Sequence, residues 1–586
     1  LKTYLKEKIG NPDLFTGRKK ELDWFLKWIN GIKKGISKST AIVSRRKTGK
    51  TAFLQRLYNL TYEKNDGVIP FYYELGEGSK WAVDFCWDFY VQFLYQYIAF
   101  KTRKPEYILL TAARRSDFSK ALEIVQMEGL DYLAESIHGV EAVLRSRHVD
   151  HLWDIVREAP VNIADRQNEC IVQIIDEFQF LNSEIYWDEG KTSRASDFAA
   201  GYMRTAEYRN APLIVSGSWV GWLRHDLMMM LPGRFIEYGY DNMPMDETIE
   251  MVFKYAQMYE MPVTEQTSMM IAELSEGNPF YVSALFTTTC PEPDLATPDG
   301  LLAVMEYETR HKKGNIRNTW MEYVHSVFSR VNEQNAKKIV LYLCKNRERQ
   351  VTRKELLEKL DLSMTDYELE KKLHALVKGD IIEEGASNFE YQGVEDNIFD
   401  KVFRSVYQKE IEAFDEKDIR NEYKALLDEY QRKYHQLLGR LNRMKGAYAE
   451  FLIINRLRFH AFRDNETFNA MTANLPEDFR FVDYESVWTY RSSPIEKPDL
   501  LIDVFARAGA GEYAIIGEVK YRDTKKFSKA EAEGFLKKIE LLKELEPVPK
   551  SVYIVFSLTG FTAEALDFLK AHDMAWTSDE RWLGDG

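Results

Sequence analysis

At 586 residues the chain is too long for one hydrophobic core, and at about 150 residues per domain it calls for roughly three to five domains. Its 45% hydrophobic and 29% charged residues exclude a disordered or fibrous chain. A formal charge of -13 excludes bulk attraction to nucleic acid, so such binding would need local basic patches.

The first patterned stretch is Leu14 to Ile32. Leu22, Phe25, Leu26 and Ile29 recur at helical spacing, which predicts an amphipathic helix capped by Gly31. Ala41 to Leu57, AIVSRRKTGKTAFLQRL, then organises the amino-terminal half. An apolar triplet, Ala41-Ile42-Val43, runs into the basic turn Ser44 to Lys50 and on into a helix carrying Phe53, Leu54 and Leu57, the pattern of strand, phosphate loop and helix. Backbone N–H groups of Ser44, Arg45, Arg46, Lys47, Thr48 and Gly49 would converge with those of the first helical turn on a polyphosphate. Lys50 would reach the β and γ phosphates of ATP, and the Thr51 hydroxyl would hold Mg²⁺. Ser44 stands where G-x-x-x-x-G-K-[ST] has its first glycine.

Val68 to Leu75 reads as a second strand. From Ser79 to about Asn162 the pattern is helical, and Trp81, Phe85, Trp87, Phe89, Tyr90, Phe93 and Tyr97 form an aromatic stripe suited to a core or a partner-helix surface. The most apolar run, Phe85 to Phe100, contains Asp88, Gln92 and Gln96, so a buried amphipathic helix is expected there and a membrane span is not. Cys170 to Leu181 has the near-continuous apolar character of a parallel strand covered on both faces, and it ends in Asp176-Glu177. Adjacent carboxylates at such a strand end need a cationic ligand. Asp176 fits a Mg²⁺-side carboxylate, and Glu177 fits the base that orients the attacking water. A further strand, Ala211 to Ser216, leads to Gly217 and Ser218, and Arg234 in the following LPGRF is a candidate arginine finger.

Met245 to Phe286 is helical and includes Gly277-Asn278-Pro279-Phe280-Tyr281. Between Ala336 and about Tyr391, three short helices and a hairpin predict a winged helix, with Thr352 capping the second helix. Lys371, Lys372, His374 and Lys378 lie along its third helix, but Glu368, Glu370, Asp380, Glu383 and Glu384 interrupt that face. A packing or dimer role is therefore preferred to DNA contact. Asp400 to about Leu441 is charged and helical, with Phe403, Tyr407 and Ile411.

The last segment opens with a helix at Gly446 to Leu452, followed by the strands FRFVDYESVWTY, KPDLLIDVFARAG and EYAIIGEVKYR. A helix from Ser528 to about Glu544, the strand SVYIVFS, a helix from Thr562 to Ala571 and the short MAWT complete it. Strand alternation places Glu518 and Lys520 on one face with Val519 on the other, and Asp499 and Asp503 also share a face. Such carboxylates could hold Mg²⁺ or Mn²⁺, with Lys520 positioning a water and stabilising phosphate charge. Asp503 lies 15 positions before Glu518 across one hairpin loop and is preferred to Asp499 at 19, with both kept.

Two resemblances follow from these residues. The Phe15-x-Gly17-Arg18 lead-in, S-R-R-K-T-G-K-T, I-I-D-E-F and G-N-P-F-Y together resemble the archaeal-type ATPases, STAND-like relatives of AAA+ proteins, over roughly residues 10 to 330. The resemblance implies ATP binding and hydrolysis by a core with a helical lid, the lead-in packed near adenine, and Ser216 or Ser218 sensing the γ-phosphate. From about residue 440 to 586 the element order and residues resemble the PD-(D/E)xK nuclease superfamily, in the form appended to such ATPases, and Glu450 matches its acidic residue on the first helix.

The expected architecture is multidomain α/β. It comprises a P-loop ATPase core over 1–240 with a helical insert at about 79–162, a helical lid over 241–330, a winged helix over 331–400, a helical linker over 401–440, and a restriction-endonuclease-like α/β domain over 441–586. The expected function is an ATPase regulating a metal-dependent DNA nuclease in defence or mobile-element biology. The alternative is a nucleotide-dependent switch or scaffold whose nuclease-like domain binds without cleaving. Expected partners are nucleic acid, DNA before RNA, and further copies of the chain, with no membrane. Cys86, Cys170, Cys290 and Cys344 lack C-x-x-C spacing, which argues against a zinc site or disulfide framework and makes the cytoplasm the expected compartment.

Overall fold

The computed structural model describes residues 4–110, 118–146, 149–217, 231–329, 333–347, 349–387, 389–394, 396–411, 417–492, 500–522, 524–546 and 548–584. Ser218 and Asp499 lie outside them. The chain divides into two compact units, Leu1–Asp428 and Glu429–Gly586. Among the described residues, no helix is long and apolar enough to cross a membrane.

The strands of the first unit begin with β1 (Thr40–Val43), β2 (Val68–Glu74), β3 (Lys80–Trp81), β4 (Cys170–Asp176), β5 (Ile185–Tyr186), β6 (Leu213–Gly217) and β7 (Ile236–Gly239). Five of them form a parallel sheet in the order β2-β4-β6-β1-β7, and β3 pairs with β5. β1, β4 and β6 are buried almost throughout, as their apolar runs require. Because all five run one way, the chain after Val43, Glu74, Asp176 and Gly217 emerges at a single edge. The register Glu74↔Asp176, Ile175↔Val215 and Val43↔Gly217 keeps those ends level.

The aromatic stripe is core. The helix Ala82–Thr102 packs Phe89 and Phe93 edge-on against Phe71 of β2, and Trp153 of the helix Val149–Gln167 stacks on Phe198. Gly31 lies inside the helix Lys19–Ile32 rather than capping it, because Ser37 and Ile36 crowd the space a side chain would fill.

Five helices follow, Met245–Met258, Glu265–Leu274, Pro279–Phe286, Pro298–Arg310 and Asn315–Phe328. The stretch expected as a winged helix comprises helices Glu333–Lys345, Arg353–Leu360 and Asp366–Lys378 with β8 (Val351–Thr352), β9 (Ile382–Glu384) and β10 (Glu390–Gly393), antiparallel in the order β8-β10-β9. The next helix is Asn397–Ile411. Its Phe399 and Phe403 pack on Trp320 and Phe328, which ties it to the lid.

The expected helix start at Gly446 falls within the helix Lys417–Phe459, whose interior accommodates Gly439 and Gly446, both in the second unit, at about 1 kcal/mol each. The sheet has the order β11 (Ser486–Arg491), β12 (Leu501–Arg507), β13 (Ala514–Lys520), β14 (Ser551–Ser557), β15 (Ala575–Thr577). β12 runs antiparallel to both its neighbours, β11 and β13, and β13, β14 and β15 are parallel. One face packs against the helices Lys529–Leu545 and Ala563–Ala571 through Phe535, Ile539, Leu542 and Leu569. The other face carries Ala449, Ile453, Leu457 and Trp582. Phe479 and Phe481 belong to this second cluster, so the predicted first strand shortens to begin at Ser486.

Gly277 fixes the turn before the helix Pro279–Phe286 against the segment that enters the helix Met245–Met258. It sits at φ 72°, and a Cβ there would lie 2.0 Å from the Met243 carbonyl oxygen, while Met243 N–H donates to the Gly277 carbonyl at 2.9 Å. Gly277→Ala should destabilise the protein by about 2–3 kcal/mol. Gly446→Ala, in open helix, should stabilise it by about 1 kcal/mol. Denaturant unfolding of the two variants reads the opposite signs.

Candidate functional site

The phosphate loop closes without its first glycine because the conformations it needs fall elsewhere. Positive φ occurs at Lys47 (64°) and Gly49 (88°), and not at Ser44. Ser44 Oγ instead meets Thr48 Oγ1 at 2.7 Å, and Thr48 Oγ1 donates to the Arg45 carbonyl at 3.0 Å. Gly49 is required twice over, since a Cβ would also stand 3.3 Å from Pro279. Lys50 Nζ donates to the carbonyls of Ser44 at 2.8 Å and Arg45 at 2.5 Å. Its burial brings its pKa down to about 8, against the pull of Glu177 and Asp176.

Asp176, at the carboxyl end of β4, is fully buried. Thr51 Oγ1 donates to its Oδ2 at 2.7 Å, Tyr72 OH approaches the same oxygen at 3.3 Å, and Ser216 Oγ donates to Oδ1. Burial, and next the neighbouring Glu177, push its carboxyl pKa up. Glu177 adopts φ 57°, and its backbone N–H donates to Asp176 Oδ1. Of the two sensor candidates, Ser216 is thus placed on Asp176, whereas Ser218 is outside the described residues. Tyr72 was not foreseen; its signal was a hydroxyl facing inward from a strand next to β4.

A cleft of about 670 Å³ lies along this edge. Arg46, Lys47, Thr48, Gly49, Lys50, Thr51 and Glu177 give its lining polar groups, and Phe15, Tyr240, Met251, Tyr255 and Phe280 give it apolar ones, a size and character suited to a nucleotide. Arg18 ties the lead-in to the loop, donating to the Thr48 carbonyl at 3.0 Å while its guanidinium lies over Tyr240. Neither Ser44 nor Arg45 lines the cleft. Arg45 pairs with Glu383 of β9, Arg46 lies over the Tyr323 ring and Lys47 over Phe280, so the loop's basic side chains grip the lid and the winged helix. Arg234 is not brought to the cleft. It precedes Ile236, whose partner Thr40 opens β1, and it pairs with Glu207 at 3.2 Å at the opposite edge of the sheet. Among the described residues, Arg18 and Arg46 are the arginines that line the cleft.

The second unit assembles its own cluster. The antiparallel register Val504↔Gly517 sets Asp503 and Glu518 side by side, and both are buried. Val519 N–H donates to Asp503 Oδ2 at 2.8 Å. Three oxygens then surround Lys520 Nζ: Glu518 Oε1 at 2.7 Å, the Val519 carbonyl at 3.1 Å and Asp503 Oδ2 at 3.5 Å. Lys538, from the helix Lys529–Leu545, reaches Glu518 as well. Burial and then the Glu518 charge raise the Asp503 pKa. Burial, and next Asp503, lift Glu450 to about 7. Burial lowers Lys520 less than Glu518 and Asp503 raise it.

Among the described residues, no three His, Cys, Asp or Glu side chains form a ready metal cluster. The oxygens of Asp503, Glu518 and Val519 nevertheless converge on one cationic centre, the ammonium of Lys520. They are hard donors of the kind Mg²⁺ or Mn²⁺ takes, so the residues fit such an ion. Asp499 is outside the described residues. Lys538 was missed, although a lysine three residues after Phe535 and four before Leu542 interrupts an apolar helix face.

No protein-family profile matches the chain, and no curated protein sequence does. Among solved structures it is similar to a Walker-type ATPase of Pyrococcus abyssi at 15% identity and TM-score 0.43, over 69% of this chain and 100% of that one. It is also similar to the Aeropyrum pernix ORC2 protein in ADPNP–ADP complexes at 12% identity and TM-score 0.34, over 67% and 95% of the two chains. The Aeropyrum pernix ORC1 protein in complex with DNA matches at 11% and 0.34, over 70% and 96%.

Glu450 generates a pH prediction. An ordinary glutamate titrates near 4.5 and this one near 7, so the folded chain holds the extra proton between those values and loses stability as pH rises through them. Glu450→Gln removes that loss. In chelator-containing buffer the Tm advantage of the variant should grow from pH 5 to pH 8; a pH-independent difference would contradict the raised pKa of Glu450.

Proposed function

We propose that the chain binds and hydrolyses ATP in the cleft of its first unit and uses that cycle to control a metal-dependent phosphodiesterase in its second unit, with DNA as substrate. Lys50 would exchange the carbonyls of Ser44 and Arg45 for the β and γ phosphates, with the backbone of Arg46 to Gly49 enclosing them. Thr51 and Asp176 would hold Mg²⁺, Ser216 would keep Asp176 in place, and Glu177 would orient the attacking water. Arg46 supplies positive charge within the cleft. The pairing of Arg45 with Glu383 gives the loop a direct hold on the winged helix, in keeping with a packing role for that domain.

The observation that carries the nuclease reading is the convergence of Asp503, Glu518 and the Val519 carbonyl on the Lys520 ammonium. In that reading Asp503 and Glu518 hold Mg²⁺ or Mn²⁺, which when bound supplies Lewis acidity for attack on a phosphodiester. Lys520 then turns from its carboxylates to the phosphate. Glu450, which feels the charge of Asp503 and whose pKa is raised to about 7, would give or take a proton in that reaction.

Glu177→Gln should retain ATP binding and slow its turnover by about 100-fold or more; turnover at the wild-type rate would show that Glu177 is not the base. DNA cleavage with Mn²⁺ and ATP should be lost in Lys520→Ala and in Asp503→Asn. Cleavage that persists in both would refute the phosphodiesterase site, and a wild type that binds DNA without cutting it would leave the scaffold reading.

A further inference from the structure

Glu518 is held by two lysines, and only one belongs to its own strand. Lys520 Nζ donates to Glu518 Oε1 at 2.7 Å, while Lys538 Nζ donates to Oε1 at 3.0 Å and to Oε2 at 2.8 Å. Lys538 begins on the apolar side of its helix, where Phe535, Ile539 and Leu542 pack with Ile516 of β13. That packing aims its stem at the end of β13. The side chain of Glu518 is 7% exposed and that of Lys538 is 33% exposed, so the contact spans the boundary between interior and solvent. Two buried carboxylates, Asp503 and Glu518, are thereby balanced by two ammonium groups. Without Lys538, Glu518 would share the one remaining ammonium with Asp503, and buried carboxylates are costly when their charge is not met.

A hard divalent cation taking Asp503 and Glu518 would find both ammonium groups against it, and like charges at such separations repel strongly away from water. Lys538 has the freedom to yield, since its four-carbon stem ends at the surface. We propose that Lys538 is a positioning residue that exchanges partners: it holds Glu518 against the divalent cation, and on release gives its charge to the phosphate chain of the nucleic acid. This rests on the phosphodiesterase reading above. It commits the site to a polyanionic phosphodiester substrate and assigns a regulatory role to a lysine outside the E-x-K sequence.

The two halves of the exchange predict opposite changes in one variant. In the full chain without nucleotide, Mn²⁺ binding is titrated by the loss of the free-ion EPR signal, with Asp503→Asn as the blank for binding elsewhere. Lys538→Met, which removes a like charge beside the cation, should bind Mn²⁺ about tenfold more tightly. Its affinity for a short DNA duplex in Ca²⁺ should fall, and the slope of log affinity against log salt should shrink by about one. Lys538→Arg, which keeps the charge, should restore the slope and confirms that packing is intact. A lysine that merely supported the fold would weaken both ligands. Unchanged or weaker Mn²⁺ binding in Lys538→Met, or an unchanged salt slope, overturns the exchange. If the wild type binds no more Mn²⁺ than Asp503→Asn, the phosphodiesterase reading falls and the exchange with it; if the wild type binds more but Lys538→Met equals the wild type, only the exchange falls.

Discussion

The burial of the Asp176 carboxylate is the constraint on which the amino-terminal unit depends. A carboxylate taken out of water must find donors, and Asp176 finds them on three separate elements: Thr51 at the start of the helix after β1, Ser216 near the end of β6, and Tyr72 on β2. Those contacts exist only if β2, β4, β6 and β1 end level at one edge, which their parallel register ensures. The same edge receives the phosphate loop, so the group best suited to a divalent cation and the backbone best suited to phosphate are brought together by one packing decision. The cleft beside them is also lined by residues of the helices Met245–Met258 and Pro279–Phe286, and Gly277 allows the close approach to Met243 between those helices and the sheet.

The second unit solves a similar problem by other means. Where Asp176 is met by hydroxyl groups, Asp503 and Glu518 are met by ammonium groups and a backbone N–H. Hydroxyl donors can remain in place when a cation binds, because their oxygens still have lone pairs to offer. Ammonium groups have none, so they must move away. The two clusters therefore differ in what cation binding would demand of them: the first needs little rearrangement of its carboxylate, whereas the second must displace charge already present.

Much of this organisation was legible in the sequence. AIVSRRKTGKT, the apolar strand ending in Asp176-Glu177 and the alternation of Glu518 and Lys520 each encode a local geometry that strand period and loop chemistry dictate, and each appears as expected. Ser44 was legible as a departure but not as a harmless one, because whether a loop position needs glycine depends on its φ, and the strain falls on Lys47 and Gly49. Phe403 and Tyr407 were legible as apolar residues in a charged helical stretch, but their partners were not, because Trp320 and Phe328, on which Phe399 and Phe403 pack, lie on other helices.

The sequence by itself determined the groups that carry chemistry and the local elements that hold them, since hydrogen-bonded loops and alternating strands are properties of a few consecutive residues. Tertiary structure alone decided which groups meet. It sent Arg234 to the far edge of the sheet, turned Arg45 toward Glu383, set Tyr72 and Ser216 on Asp176 and brought Lys538 to Glu518. The physical reason is that these meetings join residues far apart in the chain, and their geometry follows from how strands order themselves and how helices cover them.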